Sequence, residues 1–407
     1  MENCNITKFD LNFTKTLLVA GVNTRPIVRS AKNLGLQVIA IDCFEDQYIS
    51  KHTDALFMTG ERSKISKPKE FFHLALEALD SYNPDVVILS SGMENCPEKV
   101  EKLGKRIKIA GNKPSQLEIC RNERRLFDIA DNLEIPHPKT KQIENKDEAL
   151  ENAREIGFPL LIKPSRGGGG IGIKLVENEA ELINRWKNLS LDRDRNVSYL
   201  QEFINGRNAS ASVLSTGSRA KCLTVNEQII GEKKLDVPRR FGYCGNVIPL
   251  SEEDNTISKL KEYSESICEE LELLGSNGVD FVVKDKPYLV EVNPRLQNTM
   301  DLVELSLGIN LLEEHFKSFS GEIVESPPLL QCSAKLIVYA RKTLKVPDLT
   351  SFQDAVDIPK PKSFIKKGMP ICSVLKTGHK REKVVEKAYE LAKKIQRRVY
   401  GSPEPSS

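Results

Sequence analysis

The chain has 407 residues with 60 Lys plus Arg against 57 Asp plus Glu, and a net charge of +3 excludes partners recruited by bulk charge, nucleic acid or an anionic membrane. At 39% hydrophobic and 29% charged it is too apolar for wholesale disorder, and at roughly 150 residues per domain its length predicts two to three cores. No apolar run approaches the roughly 20 residues that span a bilayer, and residues 1–14 hold no continuous apolar segment, so the sequence predicts a cytoplasmic protein.

In chain order, the first third alternates β-rich runs with amphipathic stretches: strand 16–20, helix 26–34, strand 37–42, helix 69–80 and strand 85–90. That alternation predicts parallel βαβ units, whose ligands sit beyond the C-terminal strand ends, here 21–25, 42–45 and 90–95. The stretch 113–132 reads as helical, and Pro136 and Pro138 stop it. Strands 160–163, 171–177, 199–203, 280–283 and 288–292 then mix with helices 146–155, 179–188 and 256–274, an α+β core. A final unit, 330–400, holds an apolar run 333–339, a bend at 358–361 and a basic amphipathic helix 381–399, and 401–407 reads as a disordered tail. The nine cysteines form no C-x-x-C pair and predict reduced, structural thiols; the five histidines lack metal-ligand spacing.

The densest signal is Phe158-Pro-Leu-Leu-Ile-Lys163-Pro-Ser-Arg166-Gly167-Gly168-Gly169-Gly170-Ile171-Gly172. Glycines at this density let successive backbone N–H groups converge on an anion, a phosphate cradle. Gly167, Gly169 and Gly172 satisfy G-x-G-x-x-G, yet the alternation of Ile171, Ile173 and Leu175 predicts a strand after it where a dinucleotide turn needs a helix. No Gly-Lys-Ser/Thr follows, so it is not a P-loop. Lys163 inside an apolar strand is costly to bury without an anion, and flap and lysine together point to a nucleoside triphosphate.

A second signal is Gly278-Val-Asp280 through Glu291-Val-Asn293-Pro-Arg295, two apolar runs separated by 284–287 that predict a hairpin. Glu291 and Asn293 are two apart in a strand and share a face. With Asp280 they offer the hard oxygen donors that suit Mg²⁺. In the first unit, the loop with Ser91, Gly92 and Glu94 follows a predicted strand and offers N–H groups and a carboxylate to a substrate, with a plain turn as the alternative. Arg239 and Arg240, within 231–242, belong either to a basic lid over an acidic or phosphorylated substrate or to a solvated loop. The C-terminal basic helix reads as a solvated face rather than as a nucleic-acid site.

These motifs, in this order over residues 17–312, resemble the ATP-grasp superfamily. The resemblance implies a mixed α/β and α+β chain: a Rossmann-like pre-ATP-grasp domain (1–112), an ATP-grasp domain with central and nucleotide-binding subdomains (113–329) and a small C-terminal α+β domain (330–400). It implies ATP and Mg²⁺ (or Mn²⁺) as cofactors. Lys163, Arg166 and the flap 167–172 would hold phosphates, the hinge residues Gln201, Glu202, Phe203 and Ile204 the adenine, and Asn208 the ribose. Asp280, Glu291 and Asn293 would hold the metal, while Lys163 and Arg295 would serve catalysis, Arg295 at an acyl-phosphate or tetrahedral species.

Three positions depart from the family pattern: Glu123 stands where an earlier phosphate-binding lysine is usual, with Arg121, Arg124 and Arg125 as nearby substitutes, Gln201 replaces the hinge acid, and Asn208 replaces the ribose-binding Glu. The function implied is an ADP-forming ligase that activates a carboxylate as an acyl phosphate for attack by an amine, with small-molecule substrates; a homo-oligomer is compatible with it. The run E-x-N-x-R-x-Q from Glu291 to Gln297 is similar to biotin carboxylase, but Thr299 stands where that enzyme's base would be, so bicarbonate activation ranks second. A nucleotide-binding regulatory protein without turnover is the third reading. A dehydrogenase is disfavoured, because 21–26 lacks the glycine fingerprint.

Overall fold

The computed structural model describes residues 14–44, 46–59, 68–165, 167–189, 198–325 and 327–401. Its first sheet has five parallel strands in the order Ala55–Met58, Gln37–Asp42, Thr16–Ala20, Val86–Leu89, Lys108–Ile109. The central strand is covered on both faces, which is why it reads as an unbroken apolar run. Leu17 and Val19 pack with Ile27 and Val28 on one side; Leu18 and Ala20 pack with Phe71 and Ala75 on the other. Beyond its end, the Gly21 backbone lies so close to Ser90 that a Cβ would sit 2.6 Å from the serine Cβ, so the loops after the first and fourth strands are packed together.

The stretch 113–132, expected as one helix, is two: Pro114–Arg121 and Glu123–Asn132. Asn122 leaves the helical region and caps the second, its Oδ1 accepting from Arg125 N at 3.2 Å. The break turns Arg121 and Glu123 toward different neighbours. A four-stranded antiparallel sheet follows, ordered Thr140–Ile143, Ser198–Glu202, Leu160–Pro164, Lys174–Val176. One face, with Ile143, Leu160, Ile162, Val176 and Leu200, packs on the helices Lys146–Ile156 and Glu179–Leu189. Register puts Thr140, Lys163, Tyr199 and Gln201 on the other face. The strand expected over 171–177 forms only at Lys174–Val176; Gly172, at a φ of 85°, lies outside the extended region.

An eight-stranded antiparallel sheet completes the chain: Pro287–Asn293, Leu274–Val283, Arg207–Thr216, Ala220–Ile230, Tyr243–Ile248, Cys332–Tyr339, Pro370–Gly378, Ala355–Val356. It runs without interruption from Tyr243–Ile248 into Cys332–Tyr339, so the last unit of the chain extends the sheet. The helix expected over 256–274 is Asp254–Glu270; Glu272 takes a left-handed φ of 50°, and Leu274 already begins a strand. Val384, Ala388, Ala392 and Ile395 of the helix Arg381–Tyr400 pack on the sheet's far end. The eight described cysteines are buried, and no helix among the described residues is long and apolar enough to cross a membrane. The expected tail, apart from Gly401, lies outside the described residues.

A buried ionic cluster joins the first sheet to this sheet. Arg25 pairs with Asp301 and, through Nε, with Asp357 Oδ1 at 2.6 Å, and Lys335 Nζ reaches Asp301 Oδ2 at 3.0 Å. Burial alone would raise the Asp357 carboxyl; the charges of Arg25 and Lys335 overcome it and hold that carboxyl well below the usual range. Arg25→Ala leaves two buried carboxylates sharing one cation, and should lower the unfolding free energy by about 3–5 kcal/mol, measured as a drop in urea midpoint at unchanged m. The deficit should shrink toward pH 4, because unpaired buried carboxylates take up protons.

Candidate functional site

Strict alternation divides the large sheet into an apolar and a polar face. Ala209, Ala211, Val279, Phe281 and Val292 enter the core beneath it, while Asn208, Ser210, Asp280 and Glu291 lie opposite, with Ser210 paired to Asp280 and Asp280 to Glu291. A bulge between Asp280 and Phe281 interrupts the register beside this pair. Asn293 Nδ2 donates to Asp280 Oδ2 at 3.0 Å and Gln228 Nε2 to Asp280 Oδ1 at 2.9 Å. The Asp280 carboxyl is pushed up to about 6, first by burial and then by the charge of Glu291. The Asp280 carboxyl beside a second carboxylate, with an amide next to it, is a set of hard oxygen donors of the kind that suits a divalent cation. Among the described residues no group of three or more His, Cys, Asp or Glu has metal-binding geometry.

The nearest cations come from two other elements. Arg121 closes the helix Pro114–Arg121 and donates through Nη1 to Glu291 Oε1 at 2.6 Å and through Nη2 to Glu94 Oε1 at 3.3 Å. Arg295 Nε donates to the same Glu94 oxygen at 2.8 Å, and its Nη2 to Asn293 Oδ1 at 3.3 Å. Glu94 sits in the turn Met93–Asn95 of the first unit, entered through Gly92. Burial would raise its carboxyl, and Arg295 and Arg121 hold it below the ordinary value. Around it Ser90 Oγ, Ser91 Oγ, Glu94 Oε2, Asn95 Oδ1 and Arg121 Nε are buried without hydrogen-bond partners. A cluster of so many unmet polar atoms is a natural place for a polar ligand.

On the four-stranded sheet, Lys163 Nζ pairs with Glu123 Oε1 at 2.8 Å, and Glu123 Oε2 accepts from Gln201 Nε2 at 3.3 Å. Glu202 points to the opposite face, its Oε2 accepting from Lys139 N at 3.3 Å, so of that residue the backbone alone remains beside Gln201. The glycine flap folds back on residues 239–243: Tyr243 N donates to Gly169 O at 3.3 Å, and a Cβ on Gly170 would lie 1.7 Å from the Phe241 carbonyl oxygen. Phe203 and Phe241 meet edge to face at 6.2 Å, with the exposed Arg240 guanidinium 6.0 Å from the Phe203 ring and 5.8 Å from the Phe241 ring. Arg239 is exposed on the same loop. Ile204 is nearly buried where the strand ends, Ile171 stands exposed on the flap, and Arg166 lies outside the described residues.

Thus Asp280, Glu291, Asn293, Arg295 and Glu94 are joined by direct contacts, and Lys163 and Gln201 share a face with one common partner. Sequence reasoning named Arg121 only as one of three substitutes and missed Gln228 altogether. The proline at 114 marks the first turn of Arg121's helix, but no local pattern shows the break at Asn122 that ends it.

Residues 120–299 match the family model of the ATP-grasp domain. The chain is 28% identical over 389 residues to the formate-dependent phosphoribosylglycinamide formyltransferase of Prochlorococcus marinus, covering 93% of this chain and 96% of that one. Its fold is that of the biotin carboxylase of Campylobacter jejuni, solved as a β-γ-ATP complex (TM-score 0.75, 18% identity, 92% of this chain and 90% of that chain). The L-amino acid ligase of Bacillus licheniformis shares it as well (TM-score 0.70, 16% identity, 94% and 98%).

Docking of the flap rests on a close backbone approach. Gly170→Ala, at a φ of 75° with no room for a Cβ, should undock the flap from 239–243. Amide exchange at Tyr243 should then rise by roughly tenfold or more while exchange in the five-stranded sheet stays unchanged.

Proposed function

Because the chain belongs to the ATP-grasp superfamily, we propose that it is an ATP- and Mg²⁺-dependent ligase, cytoplasmic, that activates a small carboxylic acid as an acyl phosphate for attack by an amine and so forms a C–N bond. The observation that carries this reading is the junction of the Asp280–Glu291 carboxylate pair, through Arg121 and Arg295, with the cluster of unpartnered polar atoms around Glu94. A place for a cation and a place for a polar substrate are thereby neighbours.

The residues present fit the cofactor: Asp280 is raised to about 6 beside Glu291, and a divalent cation would relieve that repulsion. When bound, Mg-ATP supplies the transferable phosphoryl group and the metal charge that neutralises its oxygens. Asp280, Glu291 and Asn293 hold the metal. Lys163 would offer its ammonium, and the flap, Gly167 to Gly172, its backbone N–H groups, to phosphate oxygens. Gln201, Glu202, Phe203 and Ile204 of the hinge would hold the adenine, and Asn208 would accept from the ribose.

Arg295 neutralises charge that develops as the acid is phosphorylated and attacked, a role its pairing with Glu94 and Asn293 positions it to fill. Ser91, Gly92 and Glu94 bind the acceptor, and Arg239 and Arg240 cover an acidic or phosphorylated group. The relatives named as a formyltransferase that depends on formate and as an L-amino acid ligase favour acid and amine as substrates. Bicarbonate chemistry of the biotin carboxylase kind is disfavoured, since Thr299 is buried just before the helix Met300–Leu307, its hydroxyl 3.4 Å from Gln297 Oε1.

The test is release of ADP and phosphate from Mg-ATP across a panel of small acids, amines and bicarbonate. Release should require one acid together with one amine. Glu291→Gln should lower turnover on the order of 100-fold with the fold intact, and Lys163→Ala should weaken ATP binding. Unchanged turnover in both variants would remove these residues from the site. A second test uses pH: with its carboxyl raised to about 6, Asp280 holds a proton below that value, and a proton competes with a cation. The Mg²⁺ concentration for half-maximal turnover should therefore rise by about tenfold per unit as pH falls below 6. A Mg²⁺ requirement independent of pH would take Asp280 out of the metal set.

A further inference from the structure

Glu123 occupies an unusual place, because one carboxylate touches both Lys163 and Gln201. Its Oε1 lies 2.8 Å from Lys163 Nζ and its Oε2 accepts from Gln201 Nε2 at 3.3 Å. It opens the helix Glu123–Asn132, where the positive end of the helix dipole favours an anion. Gln201 has a second neighbour, Thr140 Oγ1, at 3.0 Å. That hydroxyl has only one proton, and it is donated to the Pro138 carbonyl oxygen at 2.9 Å. Thr140 Oγ1 is therefore an acceptor toward Gln201, as an ionised carboxylate must be.

Both groups facing the amide end of Gln201 thus accept and cannot donate. An amide placed between two acceptors has one favourable orientation, with its NH₂ group spent on them. Turning it over would set Oε1 against a carboxylate and a hydroxyl oxygen. Gln201 is 2% exposed, so water offers no escape from that cost. No hydrogen bond among the described residues takes up Oε1. The side chain is thereby a fixed, open acceptor on the face it shares with Lys163.

We propose that Glu123, with Thr140, is a positioning residue that sets nucleobase selectivity: it holds the Gln201 amide with Oε1 outward, so that the site accepts the exocyclic amine of an adenine and rejects the carbonyl oxygen of a guanine. The proposal rests on the nucleotide reading of this cleft and goes beyond it, since it assigns the choice of base to two residues that need not touch the nucleotide. Guanine would bring an acceptor to an acceptor, and the mispairing lowers affinity by roughly 10- to 100-fold. Loss of the Glu123 charge also changes what Lys163 offers to phosphate, but that effect is common to every nucleoside triphosphate. The ratio of ATP to GTP affinity therefore isolates the base.

The experiment measures dissociation constants for Mg-ATP, Mg-GTP and inorganic triphosphate by calorimetry, without acid or amine, on the wild-type chain, Glu123→Gln, Thr140→Val and the double variant. Thermal unfolding without ligand checks that each variant is folded. The wild type should prefer ATP by roughly 10-fold or more. The preference should fall in each single variant and approach unity in the double variant, chiefly through a gain in GTP binding, while inorganic triphosphate reports the change at Lys163 alone. Parallel shifts for ATP and GTP, leaving the ratio intact, would overturn the proposal and reduce Glu123 to a partner of Lys163. Equal binding of ATP and GTP by the wild type would overturn it too and leave the ligase reading standing. Binding of neither nucleotide would sink that reading and the proposal together.

Discussion

Everything at the centre of this molecule depends on how a buried negative charge is balanced. Glu94 comes from the first sheet's loops, yet both cations that hold it ionised, Arg121 and Arg295, come from later in the chain. Removing a carboxylate from water is costly unless several donors replace the water. The loops around Glu94 are therefore seated against the strand that carries Glu291 and Asn293 for electrostatic reasons as well as for packing. The Arg25 cluster repeats the arrangement, with Asp301 and Asp357 as the partners from later in the chain. Two ionic joints hold one α/β unit against one large antiparallel sheet, and the site lies at the first of them.

Most of the scaffold was legible because its burial is simple. Strands covered on both faces read as apolar runs, and those covered on one face alternate; Thr16–Ala20 and Pro287–Asn293 are examples of the two kinds. The pair Asp280 and Glu291 could be proposed from a hairpin alone, since register across a short turn is a local matter. Three features were not legible. The break at Asn122 depends on a side chain that caps as readily as it continues a helix. The flap's conformation is set by its contact with 239–243, some seventy residues away in sequence, and not by alternation of Ile171, Ile173 and Leu175. The role of Arg121 depends on Glu94 and Glu291, partners from distant elements that no local pattern displays.

The departures from the ATP-grasp pattern form a set. Glu123 in place of a lysine adds a negative charge, and it is answered within the structure by Lys163 and by the amide of Gln201, itself a departure from an acid. An acid at position 201 would have placed two carboxylates side by side. The two substitutions are thus mutually compatible, and together they give this face a hydrogen-bond order different from that of the family pattern.

The continuity of the large sheet bears on how this chain can be divided. Tyr243–Ile248 is bordered on one side by Ala220–Ile230 and on the other by Cys332–Tyr339. A fragment ending near 330 would contain every residue assigned to the nucleotide and the metal, yet it would expose the amides and carbonyls of Tyr243–Ile248 as a bare edge. Such edges template pairing between molecules. The C-terminal segment is thus a guard against intermolecular strand pairing, and a soluble minimal version of this protein has to keep it.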